Sequence, residues 1–560
     1  MATLDAKVTD LGLLEHYKVI TDKVWDSIWI TELEAYLIDT QEFQRLHWVL
    51  QLGAAIFVFP DASHNRFEHS LGVLEATERI MASCNDNAKN YAGNRIGAYA
   101  RLVGRLAGLL HDLAQMPYAH TLDLEGEGHL FSTEWKCDAL AGQLLGKNGF
   151  VAQRLARFFQ THNFPAAPKD LALLAESLRE DLEWILTKAG QDNEPPAKEK
   201  AYLRYLADIV GNTICADLID YVQRDLLSVG FRDRLGLRPV QFMVVREIDS
   251  LPRLVLALWK PTRPDKMRAD TISEAIEFLR KRYTLGERVY YHHAKMAASA
   301  MIVKAVDLAG LQCLDIWPFG DHGLLNHLAA MKGSVGAPTP AREFAESLLT
   351  RDLFKLAYEL KHAEEAEPGG IVKRAKDDYA TGDGARKNQV WLEKTLVDAL
   401  GIRNEDLVVY SPDPDMNLKV FNARVWPKRS ENPLKLRDLQ AAQVESTELI
   451  TKHKGLWRLA LFVRKEVLEK PGMKDRILRA CRALLETVEP DLETLAEVFV
   501  ENHKDDFIKI LGSPSWEEKE QVVNQVKAVL SGRARGTFEF PRVESVAEVV
   551  QAASRKAGVQ

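Results

Sequence analysis

At 560 residues the chain is too long for one typical domain and points to two or three. It is 46% hydrophobic and 27% charged with a net charge of −7, which supplies a sizeable core and an ordinary polar surface and argues against a general nucleic-acid binder. No stretch reaches the roughly 18 uncharged apolar residues of a membrane span, and the N-terminus lacks a basic segment followed by an apolar run, so neither an anchor nor a secretory signal is expected.

The five cysteines, Cys84, Cys137, Cys215, Cys313 and Cys481, are widely spaced and form no CxxC pair. That pattern predicts buried free thiols in a reducing cytoplasm and argues against a cysteine zinc site.

In chain order, HNRFEHS (64 to 70) leads into HSLGVLEATERIMASC, which carries apolar residues at helical spacing. RLVGRLAGLLHDLAQ (101 to 115) sets Leu102, Val103, Leu106, Leu109, Leu110 and Leu113 on one wide apolar face, and Pro117 ends or kinks that helix. PAAPKD (165 to 170) and AGQDNEPPAKEK (189 to 200) are loops flanking a helical insertion. NTICADLIDYVQRDLLSVG reads as helix. PVQFMVVREI and RLVLALW are β-rich and separated by Asp249, Ser250, Leu251 and Pro252, which predicts a small hairpin. Residues 273 to 306 return to helix. Loops at 331 to 341 and 367 to 389 separate the first two-thirds from the rest. Beyond about 390 the periodicity is again helical, including residues 439 to 469. Within that stretch HKGLWRLALFVRKEVLEK predicts an amphipathic helix packed on the core or on a second subunit. The expected fold is mainly α, a helical core with a small β-hairpin and a helical C-terminal region. The expected division is a core over 1–365 with an insertion near 150–200, a linker over 366–389, and a helical domain over 390–560.

Four segments carry the candidate chemistry: HNRFEHS, HDLAQMPYAH (111 to 120), ADLIDYVQRD (216 to 225) and RKRYTLGERVYYHH (280 to 293). An adjacent His111–Asp112 pair at the end of a buried helix is costly unless something compensates it. A divalent metal does so, because imidazole and carboxylate are natural ligands. Alone, such a pair is more often a core histidine beside a capping aspartate. Asp217, Tyr221 and Asp225, however, recur every four residues and share one helix face. Asp220 and Arg224 form an i,i+4 pair on another face, which reads as a solvated stripe. His69, with Arg66 and Glu68 just before it, adds another ligand candidate, and jointly these features point to a metal.

These segments, with IDTQEFQRLHWVLQLGAAIFVFPDASHNRFEHSLGV and AREFAESLLTRDLFKL, resemble the HD-domain superfamily of metal-dependent phosphohydrolases. They are most similar to its dNTP triphosphohydrolase branch, over about residues 25 to 360. The resemblance implies an HD-domain core and one divalent metal (Mn, Fe, Zn, Ni, Co or Mg) on His69, His111, Asp112 and Asp217. It implies a catalytic His120 supported by Asp123. It gives phosphate contacts to Arg66 and Arg282, sugar contacts to Tyr221 and Asp225, and a base-pocket lining to Gln51 and Leu52. A homo-oligomer acting on a nucleotide is also expected from the resemblance.

The match departs at several positions. Gln115 stands where the branch commonly has a histidine, Thr133–Glu134 where it has a His–Glu pair, and Leu218 where the vertebrate type has a phosphate-binding lysine. His129 is close enough to substitute for the missing histidine. Asp39 matches a guanine-reading position, but His47 and His293 stand where its basic partners would be, which argues against strict guanine-nucleotide activation. The leading expectation is hydrolysis of a dNTP to deoxynucleoside and triphosphate. The alternatives are HD chemistry on another nucleotide or phosphate ester, including a nucleic-acid end, and a nucleotide-sensing module with little turnover.

Overall fold

The computed structural model describes residues 2–122, 137–189, 193–232, 235–333, 338–361, 370–381, 384–414, 422–487 and 490–504, together with 524. Helices dominate these residues, as the periodicity predicts. After a short helix, Ala2–Asp10, comes a feature not expected from the sequence, an antiparallel hairpin of β1 (Lys18–Asp22) and β2 (Asp26–Ile30).

Helix α1 (Arg66–Ala88) starts at Asn65, whose side chain accepts the Glu68 backbone N–H at 3.1 Å. Helix α2 (Ala98–Leu110) has no capping side chain of its own; Asp5 supplies the acceptor, taking the Tyr99 N–H at 2.8 Å. The six predicted core residues from Leu102 to Leu113 are all fully buried. Helix α2 ends at Leu110, so His111 and Asp112 fall in the turn that follows it. Helices α3 (Tyr202–Gly211) and α4 (Ala216–Ser228) are separated by a short break, and Cys215 caps α4 through its sulfur.

Strands β3 (Met243–Ile248) and β4 (Leu251–Ala257) form the predicted hairpin with a tighter turn than expected: Leu251 and Pro252 already belong to β4. Asp249 and Ser250, both at positive φ, make the two-residue connection that strand twist favours. The helical run that follows is broken into α5 (Ala269–Leu285), a π-helical turn over Gly286–Tyr290, and α6 (His293–Ala309).

The C-terminal third is less helical than its sequence suggests. Strand β5 (Lys355–Lys361), helix α7 (Ala385–Leu400), strands β6 (Leu407–Tyr410), β7 (Arg424–Trp426) and β8 (Leu434–Lys435), helix α8 (Gln443–Lys454) and strand β9 (Arg458–Val463) follow in order. The expected amphipathic helix around residues 453–470 is therefore corrected: its centre is β9, the middle strand between β5 and β6. The reason is two-sided burial. Ala460 and Phe462 enter the larger hydrophobic core, while Leu459, Leu461 and Val463 enter a second core with Leu392, Leu396 and Ile477. A strand covered on both faces reads as a continuous apolar run that periodicity does not separate from helix. The expected linker also contains a helix, Ile371–Tyr379. Strand β7 runs parallel to β4 and, with β8, extends the β3–β4 hairpin into a four-stranded sheet.

The expectation of free thiols is corrected for two cysteines. Cys137 and Cys313, 176 residues apart, form a disulfide, a pairing that spacing alone does not reveal; Cys84, Cys215 and Cys481 are buried and not disulfide-bonded. No helix among the described residues is long and apolar enough to cross a membrane.

Candidate metal centre and substrate pocket

Three segments far apart in sequence converge at the end of α2. His69 projects from the first turn of α1, His111 and Asp112 from the turn after α2, and Asp217 from the first turn of α4. The His69 Nε2 lies 3.2 Å from the His111 Nε2, 3.3 Å from an Asp217 carboxylate oxygen and 3.7 Å from an Asp112 oxygen. The His111 Nε2 is 3.4 Å from the other Asp112 oxygen. His69, His111 and Asp217 each offer one ligand atom within a mutual 4.8 Å.

The outer partners fix what these rings present. His111 Nδ1 donates to the Gly108 carbonyl at 2.8 Å, and His69 Nδ1 donates to Asp220 at 2.7 Å. A carbonyl and a carboxylate only accept, so both protons sit on Nδ1 and both Nε2 lone pairs face each other. Two lone pairs at 3.2 Å repel unless a cation lies between them. The donor set, two imidazole nitrogens with carboxylates alongside, therefore fits a divalent metal ion.

The surrounding carboxylates favour positive charge at His69 Nε2, which either a proton or a metal ion can supply. Burial alone would push the His69 pKa down, but the hydrogen-bonded carboxylates of Asp217 and Asp220 and the charge of Asp112 lift it to about 9. Burial lowers the His111 pKa, against the pull of Asp112. Asp112 is buried, which would raise its pKa, yet the Arg66 guanidinium at 2.8 Å and the two histidines hold it well below the usual carboxylate range.

Behind His69 stands a buried network that the sequence reading took for a solvated stripe. Asp220 accepts the Trp25 indole N–H at 2.7 Å and two guanidinium bonds from Arg224, each 2.8 Å. Arg224 in turn reaches Asp22 on β1 at 2.8 Å. Both Asp220 and Arg224 are fully buried. An i,i+4 spacing is the same for a surface pair and a buried one, so the spacing gave no sign of this role.

The other candidates distribute as follows. Arg66 bonds Asp112 and reaches the Gln51 carbonyl at 3.4 Å. The side-chain oxygen of Gln51 is buried without a hydrogen-bond partner among the described residues, and Leu52 is buried beside it. Tyr221 presents its ring edge-on to His69, with centroids 6.5 Å apart. Asp225 is clamped between His64 Nε2 at 2.8 Å and the Tyr290 hydroxyl, which donates at 3.0 Å. Arg282 is buried, and its Nε and Nη1 have no partner among the described residues. His120 is half-buried in a short turn after Tyr118, which has positive φ. Asp123, His129, Thr133 and Glu134 lie outside the described residues.

Two contributors were missed although both sit inside the segments singled out above. His64 was visible in HNRFEHS and Tyr290 in the arginine-rich segment, but nothing local assigns either to Asp225. Asp321, far downstream, accepts the backbone N–H of Tyr118 at 2.7 Å and of Leu50 at 3.2 Å, tying together the two loops that carry His120 and Gln51.

A mainly helical protein built around a His–His–Asp cluster suited to a metal ion is the class that this fold and site define. No family model matches the chain. Among curated proteins it is similar to the deoxynucleoside triphosphate triphosphohydrolase SAMHD1 of Gallus gallus, 25% identical over 434 residues covering 72% of this chain and 65% of that protein. It is 26% identical over 390 residues to the SAMHD1 of Homo sapiens, covering 65% and 57% of the two chains. An uncharacterised protein of Methanocaldococcus jannaschii is 22% identical over 347 residues, 60% of this chain and 61% of that one. The chain thus spans less than two thirds of the length of each of these relatives. The resemblance to the dNTP triphosphohydrolase branch of HD-domain proteins, first read from the motifs, stands on these relatives as well.

Proposed function

We propose that the chain is a metal-dependent phosphohydrolase that converts a deoxynucleoside triphosphate to deoxynucleoside and triphosphate. The observation that carries it is the pair of opposed Nε2 atoms of His69 and His111 at 3.2 Å, ringed by Asp112 and Asp217. His69, His111, Asp112 and Asp217 would hold the metal. When bound, a divalent cation polarises a phosphoryl oxygen and acidifies water.

The chain's own residues do the rest. Asp225, fixed by His64 and Tyr290, is oriented to take a sugar hydroxyl. Tyr221, one turn back on α4, covers the sugar face. Arg66 holds Asp112 and offers its charge to phosphate oxygens, and Arg282 presents two donor nitrogens from α5. Water oxygen joins the α-phosphorus, the bond to the 5′ oxygen breaks, and His120 is suited to deliver the proton the departing oxygen needs. Asp123 and His129 complete that proton path in this scheme. The enzyme would act in the cytoplasm as a homo-oligomer.

The test is product analysis with each dNTP and Mn²⁺, with and without GTP. Inorganic triphosphate is expected, with no strict requirement for GTP. Two observations favour a second scheme with a different phosphate ester as substrate: Leu218 is fully buried, and Gln115 is buried with both amide atoms unpartnered among the described residues. Release of monophosphate or pyrophosphate would select that scheme.

A further inference from the structure

The C-terminal third has no part in the scheme above, yet it lies along the element that carries Arg282 and Tyr290. Four of its side chains meet α5 and the π-helical turn in matching order. Glu445, in the first turn of α8, meets Arg280 at 3.5 Å. His453, in the last turn of α8, sets its ring nearly perpendicular to that of Tyr283, with centroids 5.2 Å apart. Leu456 lies against Gly286, where an added Cβ would be 3.2 Å from the leucine Cδ1. Arg458, the first residue of β9, places its guanidinium over the Tyr291 ring, 5.4 Å from the centroid.

The alternation of an extended chain puts Leu456 on this side. Leu456, Ala460 and Phe462 enter the larger core, whereas Trp457, Leu459 and Leu461 enter the second. Leu456 meets Gly286 where α5 widens into its π-helical turn, Gly286–Tyr290. Single π turns within helices recur at functional sites. This one ends at Tyr290, whose hydroxyl donates to Asp225 at 3.0 Å. Leu456 is buried, and Tyr283 and Tyr290 pack against the same core. His453 is uncharged at neutral pH, because burial and the nearby Arg282 charge lower its pKa to about 4, so it sets no second charge beside Arg282.

We infer that Leu456 is a positioning residue for nucleoside binding: seated against Gly286, it fixes the π-helical turn so that the Tyr290 hydroxyl holds Asp225 toward the sugar. This rests on the phosphohydrolase scheme above and carries it into the C-terminal third, where the motifs gave no assignment. Leu456 acts through the backbone of Gly286 and the hydroxyl of Tyr290, not by touching substrate. Its effect therefore belongs to the reading of the sugar 3′-hydroxyl and not to the metal cluster.

The test joins two measurements on the full-length protein. The first is amide hydrogen exchange. In Leu456→Ala the segment 283–292 is expected to exchange about tenfold faster, with residues 66–73 and 108–112 unchanged. Leu456→Val, a smaller truncation, should fall between, and Leu456→Met should behave like wild type. The second is hydrolysis of dTTP and of its 2′,3′-dideoxy analogue with Mn²⁺. Wild type is expected to prefer dTTP, and Leu456→Ala to lose about tenfold of that preference, mainly through KM. Tyr290→Phe should lose the same preference, and adding Leu456→Ala to it should lower the preference no further, since both act on one hydroxyl. An unchanged exchange rate at 283–292 overturns the inference. So does a full preference for dTTP in Leu456→Ala, or a further fall when it is added to Tyr290→Phe. Faster exchange in Leu456→Ala without any dNTP hydrolysis by wild type would keep the brace and remove the scheme. Hydrolysis by wild type with unaltered exchange in the variants would do the reverse.

Discussion

Asp220 decides which nitrogen of His69 is available. By accepting the Nδ1 proton it leaves Nε2 bare toward His111. Asp220→Asn keeps the volume but removes the charge that holds this tautomer. Metal affinity, read by competition with a chromogenic chelator, is expected to fall roughly 10- to 100-fold. Folding stability is expected to fall by only about 1–3 kcal/mol, because Arg224 keeps Asp22. Asp321 makes a prediction about pH. Burial lifts its pKa to about 7, against two backbone N–H bonds that lower it. In the unfolded chain the group titrates near its ordinary value, so between about pH 4 and 7 the folded state binds more protons. Its contribution is complete below that window and is lost as pH rises, at most about 1.4 kcal/mol per pH unit. The difference in urea midpoint between wild type and Asp321→Asn should therefore vary with pH across that window; a constant difference would show that Asp321 does not titrate there. The ligand-bearing residues were legible because they lie in compact local patterns. Asp321 was not, since its partners are backbone groups more than 200 residues away.

At the scale of elements, the crossing of α1 and α4 is set by a missing side chain. A Cβ on Gly72 would lie 1.8 Å from the Asp220 carboxylate and 2.6 Å from Arg224. In an exposed helix, Gly→Ala gains about 1 kcal/mol. At Gly72 the sign should reverse, with a loss of about 1–3 kcal/mol as α1 and α4 are pushed apart, and metal affinity should drop with it. Gly142, inside the helix Asp138–Leu145 with open space around its Cβ, is the control. Gly142→Ala is expected to raise the melting temperature. Loss at both positions would mean that helix geometry, not the Asp220 contact, is responsible. The same scale explains what the sequence reading found and missed. Helices α1, α2 and α4 carry their large apolar residues at helical spacing, so their periodicity is plain, although α2 is buried along almost its whole length. Strand β9 buries both faces, and β1 with β2 is a pair of five-residue strands with exposed Val19 and Trp29, so neither gives a strong period.

Across the whole molecule, the two hydrophobic cores meet at the sheet of β5, β9 and β6, and one buried ion pair crosses beside it. Lys304 on α6 bonds Glu393 on α7, both side chains almost wholly buried, and Glu393 also accepts the Val409 N–H at 2.9 Å. Replacing such a pair by apolar groups is often neutral, but removing one partner strands a charge in the interior. Glu393→Gln keeps an acceptor for Val409 and leaves the Lys304 ammonium facing the Asn404 side-chain oxygen at 3.5 Å without its carboxylate. It is expected to lose about 3–5 kcal/mol in urea unfolding. Lys304→Met on top of it should restore most of that loss, because the methionine fills the same channel without a charge. Recovery in the double variant is what distinguishes a stranded cation from simple loss of packing, which a second substitution would deepen. Because α6 runs on from the Tyr290 turn that clamps Asp225, the single variant should also weaken nucleotide binding, and the double variant should return it.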